Sequence, residues 1–179
     1  GGSDCIAVMV AGAAEAAVQT LRQTLATLGG PAESTLFFGT ERMPAASAAL
    51  INSTAGHVLD YVDVALGHPS VVIVPAILAE GEALDASGAD IITAYIAGFE
   101  TWYELVSREP DNYQMKGWHP TPLIGSNAGA AACANWRRLN GHAATSAVRL
   151  AAAAAHGLPA SWGPEAQARR VGTTTPTAE

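Results

Sequence analysis

An all-α helical bundle is the fold class this sequence predicts, on three observations. Apolar residues recur at three-and-four spacing in successive stretches. Glycine and proline punctuation separates those stretches. No strand-like runs alternate with them, which removes the βαβ classes and leaves helix packed on helix. At 179 residues the chain is long enough for one domain with a substantial core.

The elements follow in chain order. Gly1 to Ser3 read as a vector remnant or the cut end of a longer chain, and Cys5 to Val10 as the end of an apolar element. Val18, Leu21, Leu25 and Leu28 line one face of a helix from Glu15 to Leu28, which Gly29-Gly30-Pro31 stops. Ser34 to Phe38 is a short strand-like piece ending at Gly39. Pro44 opens a helix whose apolar positions, Leu50, Ile51, Val58, Leu59 and Val62, carry it past His57 to Gly67. On that helix His57, Asp60 and Asp63, three apart in series, form one polar row. Ser70 to Leu84 is the next helix, with Pro75 as its true start or as a kink. Asp90 to Val106 is apolar almost all round, which predicts a central helix. A polar loop, Arg108 to Gly117, precedes a small-residue helix from Leu123 to about Arg138, where Gly125, Ala128, Gly129 and Ala132 allow a neighbour to approach closely. His142 to His156 is an alanine-rich helix stopped by Gly157 and Pro159. Gly163 to Glu179 shows no apolar period and reads as an irregular tail. The expected division is a helical domain over 4–158 and a tail over 159–179.

Only 14% of residues are charged, against about a quarter in ordinary domains, so another domain or subunit is expected to cover part of the surface. A net charge of −7 with no basic patch excludes a nucleic-acid binder. The apolar runs are too short or too weakly hydrophobic to span a bilayer, so no membrane partner is expected. Cys5 and Cys133 lie far apart without metal-ligand spacing and read as small core residues in a reducing compartment. With no charged-then-apolar leader in view, the expected location is cytoplasmic.

The stretch from Asn52 to Ser70 concentrates the chemistry: it holds His57 and His68 with Asp60 and Asp63. A histidine alone in such a place is more often structural than catalytic. Here, however, His68 and His119 each precede a proline, in Gly67-His68-Pro69-Ser70 and Trp118-His119-Pro120-Thr121, so each stands just before a helix start. A helix N-terminus favours anions and neutral imidazole. Two such corners suit a di- or tricarboxylate whose α-proton must be moved. Lys116, just before the second corner, is placed to meet a carboxylate or to sit solvated in its loop. Asp60 and Asp63 read either as a solvated helix face or as part of the site. A metal site from His57, Asp60, Asp63 and His68 has no recognised ligand spacing behind it. Neither cysteine adjoins a histidine, and the chain carries no nucleophile elbow and no glycine-rich phosphate loop.

With those segments in hand, the chain resembles the MmgE/PrpD family, which includes 2-methylcitrate dehydratase, cis-aconitate decarboxylase and iminodisuccinate epimerase. Four motifs in order carry the likeness: Ala48 to Tyr61; His68-Pro69-Ser70 with Val74-Pro75-Ala76; Ala94 to Glu100; and Gly117-Trp118-His119-Pro120-Thr121. The resemblance covers roughly Asp4 to His156. It implies an all-α domain joined, in complete members, to a smaller α/β lid, commonly in a homodimer, with the active site between the two. It implies metal-independent chemistry, with no cofactor, beside a carboxylate of a small polycarboxylate: loss of water, loss of CO₂, or epimerisation. Asp60, His68 and His119 match the family's catalytic positions, and Asn52, His57, Asp63, Lys116 and Thr121 are the expected substrate contacts. The chain departs from the family pattern at Val62, where an Asp is usual, at Val64, where many members have Thr, and in a shorter loop before His68.

The expectation is therefore a lyase-like or epimerase helical domain, truncated before its lid and weakly active or inactive by itself. Two alternatives stay open: a non-catalytic helical dimerisation module of the same family, and a metal-dependent hydrolase on a helical bundle.

Overall fold

Prolines or capping side chains mark where four of the described helices begin. A computed structural model describes residues 1–109, 111 and 113–155. Seven helices occur among them: α1 (Gly2–Gly12), α2 (Ala16–Ala26), α3 (Ala45–His57), α4 (Pro69–Ala83), α5 (Gly88–Ser107), α6 (Pro120–Trp136) and α7 (Gly141–Ala154). Pro69 and Pro120 occupy first-turn positions of α4 and α6, where a missing N–H costs nothing. Ser87 caps α5 by accepting from the Asp90 N–H at 3.2 Å, and Asn140 caps α7 by accepting from the Ala143 N–H at 3.0 Å. No single helix among the described residues is long and apolar enough to cross a membrane.

The all-α expectation holds, with one addition. The strand-like piece is real but short, β1 (Ser34–Thr35), and it pairs antiparallel with β2 (Arg42–Met43), which the sequence did not announce. The hairpin is tied to α4 by side chains. Ser34 Oγ donates to the Ala79 carbonyl at 2.5 Å, while the Thr35 N–H and hydroxyl and Arg42 all donate to Glu82.

Three other expectations change. The central helix is α4, not α5. Every residue of α4 from Pro69 to Pro75 is buried, and α1, α3, α5, α6 and β1 all pack against it. On α5 only Ala94, Gly98 and Trp102 are buried, and Ile92, Ile96 and Tyr103 are more than half exposed. The Val71-Val72-Ile73-Val74 run, apolar on every side, was the stronger signal of centrality. Next, α6 starts at Pro120 rather than Leu123, and α7 ends at Ala154 rather than His156. Finally, α3 stops at His57, so the polar row of His57, Asp60 and Asp63 does not exist as a helical face. Gly157, Pro159 and the expected tail lie outside the described residues, as does the proposed boundary at 158.

Close approach through small residues is as the sequence predicts. A Cβ on Gly98 of α5 would stand 2.9 Å from the Ala132 Cβ and 3.0 Å from the Ala128 carbonyl of α6, and one on Gly125 would stand 2.9 Å from Val72 of α4. These glycines let α6 seat against both neighbours.

Pro75 sits inside α4. It has no N–H to give the carbonyl four residues back, which belongs to Val71. The Ser53 hydroxyl of α3 donates to that buried carbonyl instead, and so satisfies the group the proline leaves open. Ser53→Ala should therefore cost about 1–3 kcal/mol, because it orphans a buried carbonyl. In a Pro75→Ala background the cost should shrink toward zero, since the substituted alanine supplies the N–H. Urea denaturation of the four proteins of this double-mutant cycle measures the coupling; equal costs in both backgrounds would refute the assignment.

Candidate active site

The candidate site is a ten-residue loop, 59–68, folded over the junction of α4 and α6. The Asp60 N–H bonds the His57 carbonyl at 3.1 Å, and Asp60 takes a left-handed φ of 61°. Asp tolerates that conformation better than most residues, which explains why the chain turns here rather than continuing as helix. Leu66 is also left-handed, with φ 62°, a position where a branched apolar residue carries strain. The loop is pinned between these points. Trp102 of α5, fully buried, donates its indole N–H to the Ala65 carbonyl at 2.8 Å. Val62 is 4% exposed and packs with Val8, Val71 and Val72, whereas Val64 is 76% exposed. The departure at Val62 thus fills an apolar niche, and the one at Val64 faces outward.

His68 stands at the N-cap position of α4 and His119 at that of α6, neither with a side-chain capping bond, as the two His-Pro corners predict. The corners meet: the His68 N–H donates to Thr121 Oγ1 at 3.0 Å. Gly67 makes this possible, because a Cβ there would come 3.0 Å from both Thr121 Oγ1 and the Trp102 ring. His57, fully buried at the end of α3, tilts its ring against that of His68 with centroids 5.0 Å apart. His119 is 6% exposed.

The imidazole of His68 has a defined tautomer. Its Nδ1 lies 3.0 Å from the main-chain carbonyl of Asp63. A carbonyl only accepts, so Nδ1 carries the hydrogen, and in the neutral ring Nε2 carries the lone pair. That Nε2 is 3.7 Å from Asp60 Oδ1, beyond hydrogen-bond range for the neutral ring but close enough to stabilise an imidazolium. The Asp60 side chain is about half exposed, so solvent screens that attraction. A ring with one nitrogen fixed and the other beside a carboxylate can take up a proton and be stabilised once it has done so.

Asp63 contributes through its main chain to His68 and through its side chain to the packing beneath. Its Oδ2 accepts from Ser70 Oγ at 2.7 Å, and Ser70 Oγ is 2.8 Å from the Tyr95 hydroxyl. Burial, opposed by the Ser70 bond and reinforced by the Asp63 charge, raises the Tyr95 pKa, so the phenol keeps its proton. Burial likewise pushes Cys5 and Cys133 up to about 12, which leaves both thiols protonated; Cys5 is a core residue as expected, whereas Cys133 is only partly buried and lies outside the core clusters. His57, Asp60, Asp63 and His68 do not gather into a metal-holding cluster, and no three such side chains do among the described residues.

Two expected substrate contacts are engaged elsewhere. Asn52 is fully buried on α3; its Nδ2 donates to the Thr35 carbonyl at 3.0 Å and its Oδ1 accepts from the Phe37 N–H at 3.2 Å. It clamps the hairpin. Lys116 pairs with Glu109 at 2.8 Å and Asp111 at 3.1 Å within its own loop. Ser70, Tyr95 and Trp102, by contrast, belong to the site's framework and were not singled out. Ser70 follows His68-Pro69 at a helix start, and that adjacency was the available signal; Tyr95 and Trp102 read only as apolar positions of α5.

Thr121→Val should lower stability by about 1–3 kcal/mol by leaving the His68 N–H without its acceptor, whereas Thr121→Ser should be near neutral; denaturant midpoints with unchanged slopes check this. Comparison with known proteins agrees with the geometry. The family model for the MmgE/PrpD N-terminal domain matches residues 3–178. A cis-aconitate decarboxylase-like protein of Aspergillus oryzae is 32% identical over 126 residues, 64% of this chain and 26% of that one. Human cis-aconitate decarboxylase is 30% identical over 117 residues, 62% of this chain and 24% of its own, and the mouse enzyme 32% over 107 residues, 55% and 22%. The matched segments span about a quarter of those curated relatives. By the family match across nearly its whole length, and by the two His-Pro corners that meet in its fold, this chain belongs to the MmgE/PrpD family and carries that family's N-terminal domain.

Proposed function

We propose that this domain supplies the proton-transferring half of a lyase acting on a small polycarboxylate such as cis-aconitate or 2-methylcitrate. The family likeness supports lyase-type chemistry of the dehydratase and decarboxylase kind. One observation carries the mechanism: the Nδ1–H of His68 is held by the Asp63 carbonyl at 3.0 Å, which directs the basic Nε2 toward Asp60.

In this reading the first turns of α4 and α6 favour the substrate's carboxylates through their helix dipoles. His68 Nε2 removes the proton from the carbon beside one carboxylate, and the C–H electron pair passes into that carbon. For a dehydration, the pair then forms the C=C bond as the neighbouring C–O bond breaks, and His119 supplies the proton that lets hydroxide leave as water. A decarboxylation instead begins with no C–H cleavage: the C–CO₂ bond breaks, its electron pair moves into the carbon skeleton, and His68, protonated beforehand from solvent, delivers one proton to the carbon that receives that pair. Asp60 stabilises the imidazolium in either case. The chemistry routes no step through a metal or cofactor.

The test is exchange of carbon-bound hydrogens of cis-aconitate and 2-methylcitrate with D₂O, followed by proton NMR. The chain should accelerate exchange, and His68→Gln should lower the rate by about 10²–10⁴-fold, the usual worth of a general base. Identical exchange in the two proteins would contradict the assignment.

A second reading, a homodimerisation module, is favoured by the exposed stripe of Ile92, Ile96 and Tyr103 on α5, the kind of apolar patch that marks an interface. Light scattering discriminates: Ile96→Glu should turn a dimer into a monomer, and an unchanged mass would remove this reading.

A further inference from the structure

We propose that Ser70 and Tyr95 are positioning residues that set the tautomer of His68 by holding Asp63 from below. The proposal rests on His68 as the proton carrier and goes beyond it to the parts that aim it.

Hydrogen-bond direction makes the argument. The Asp63 carboxylate only accepts, so Ser70 must commit its one hydrogen to Oδ2, at 2.7 Å. Ser70 Oγ can then only accept from Tyr95, at 2.8 Å. The relay runs one way, from phenol to hydroxyl to carboxylate. It joins α5 and α4 to the middle of the loop at residue 63. Asp63 is therefore gripped at its side chain by this relay, while its main-chain carbonyl grips His68 Nδ1 five residues on.

The surroundings leave the relay little freedom. Ser70 is fully buried, and Cys5 Sγ of α1 donates to the Ser70 carbonyl at 3.5 Å. A Cβ at position 1 would come 2.4 Å from the Tyr95 hydroxyl and 3.0 Å from Ser70 Oγ, so the start of α1 closes over the pair. The loop it holds contains two left-handed non-glycine residues, Asp60 and Leu66. Such conformations persist only where the surroundings over-determine them. Loss of the relay should let the 59–68 loop relax and release the Asp63 carbonyl from Nδ1. The imidazole would then be free to carry its hydrogen on either nitrogen, and only one tautomer leaves Nε2 basic.

The experiment is ¹⁵N NMR of the full chain with labelled histidine at about pH 8.5, where imidazoles in general are neutral. Wild type should give His68 as the Nδ1–H ring. Ser70→Ala, which breaks both bonds, should give a mixture of tautomers and slow D₂O exchange of cis-aconitate by about ten- to a hundredfold, the scale of a small misplacement. Tyr95→Phe removes one hydroxyl and nothing else, and should shift the mixture part of the way; it serves if Ser70→Ala does not fold. Asp63→Asn keeps an acceptor and the carbonyl, and should retain the wild-type ring. An Nε2–H ring in wild type, or an unaltered Nδ1–H ring in folded Ser70→Ala and Tyr95→Phe, would overturn the proposal. Tautomer shifts as predicted in a protein that never catalyses exchange would instead uphold the positioning and defeat the proton-transfer reading beneath it.

Discussion

The bond from the His68 N–H to Thr121 Oγ1 is the constraint on which the rest of the site depends. It joins the beginnings of two helices that are distant in sequence. Each beginning is fixed locally by a His-Pro pair, since proline cannot continue a preceding helix but fits the first turn of a new one. Two helix N-termini brought together add their positive ends, and the loop that must pass between them has room only because residue 67 is glycine. Fold and site are therefore one problem here: the contact that closes the α4–α6 corner also places an imidazole at it.

Around that corner the chain tolerates strain and distributes the compensation. Asp60 and Leu66 adopt left-handed backbone conformations, and the loop between them is held by Trp102, by Val62 in its apolar niche and by the Ser70–Asp63 bond. A similar arrangement operates inside α4, where Ser53 satisfies the carbonyl that Pro75 leaves open. In both places a side chain from another element completes what the local sequence cannot. Such residues are structural in what they touch and functional in what they permit.

Much of this was legible in the sequence, and the failures have definite causes. Six of the seven helices, the His-Pro corners and the small-residue face of α6 followed from punctuation and spacing, which are local signals. The extension of α3 past His57 was wrong because Val58, Leu59 and Val62 continue the apolar period, while Val62 in fact buries itself against Val8, Val71 and Val72 from a loop. Periodicity reports burial, and burial does not require a helix. The centrality of α4 was missed because α5 carries the larger apolar side chains, yet Ile92, Ile96 and Tyr103 point away from this domain. Asn52 and Lys116 are expected substrate contacts through the family likeness; in the fold Asn52 bonds Thr35 and Phe37 across to the hairpin, and Lys116 pairs with Glu109 and Asp111 inside its own loop. The roles of Ser70 and Tyr95 depend on hydrogen-bond direction, which no spacing encodes.

A domain of the MmgE/PrpD family thus presents a histidine with one nitrogen committed to the main chain and the other directed to a half-exposed carboxylate, at the meeting point of two helix N-termini. The most direct test is a crystal structure of the chain grown with an unreactive tricarboxylate. The account predicts ligand density within about 2.6–3.2 Å of His68 Nε2, its carboxylates against the first turns of α4 and α6, and His68 Nδ1 still on the Asp63 carbonyl. Ligand bound on another face, or a His68 ring turned so that Nδ1 leaves Asp63, would contradict it.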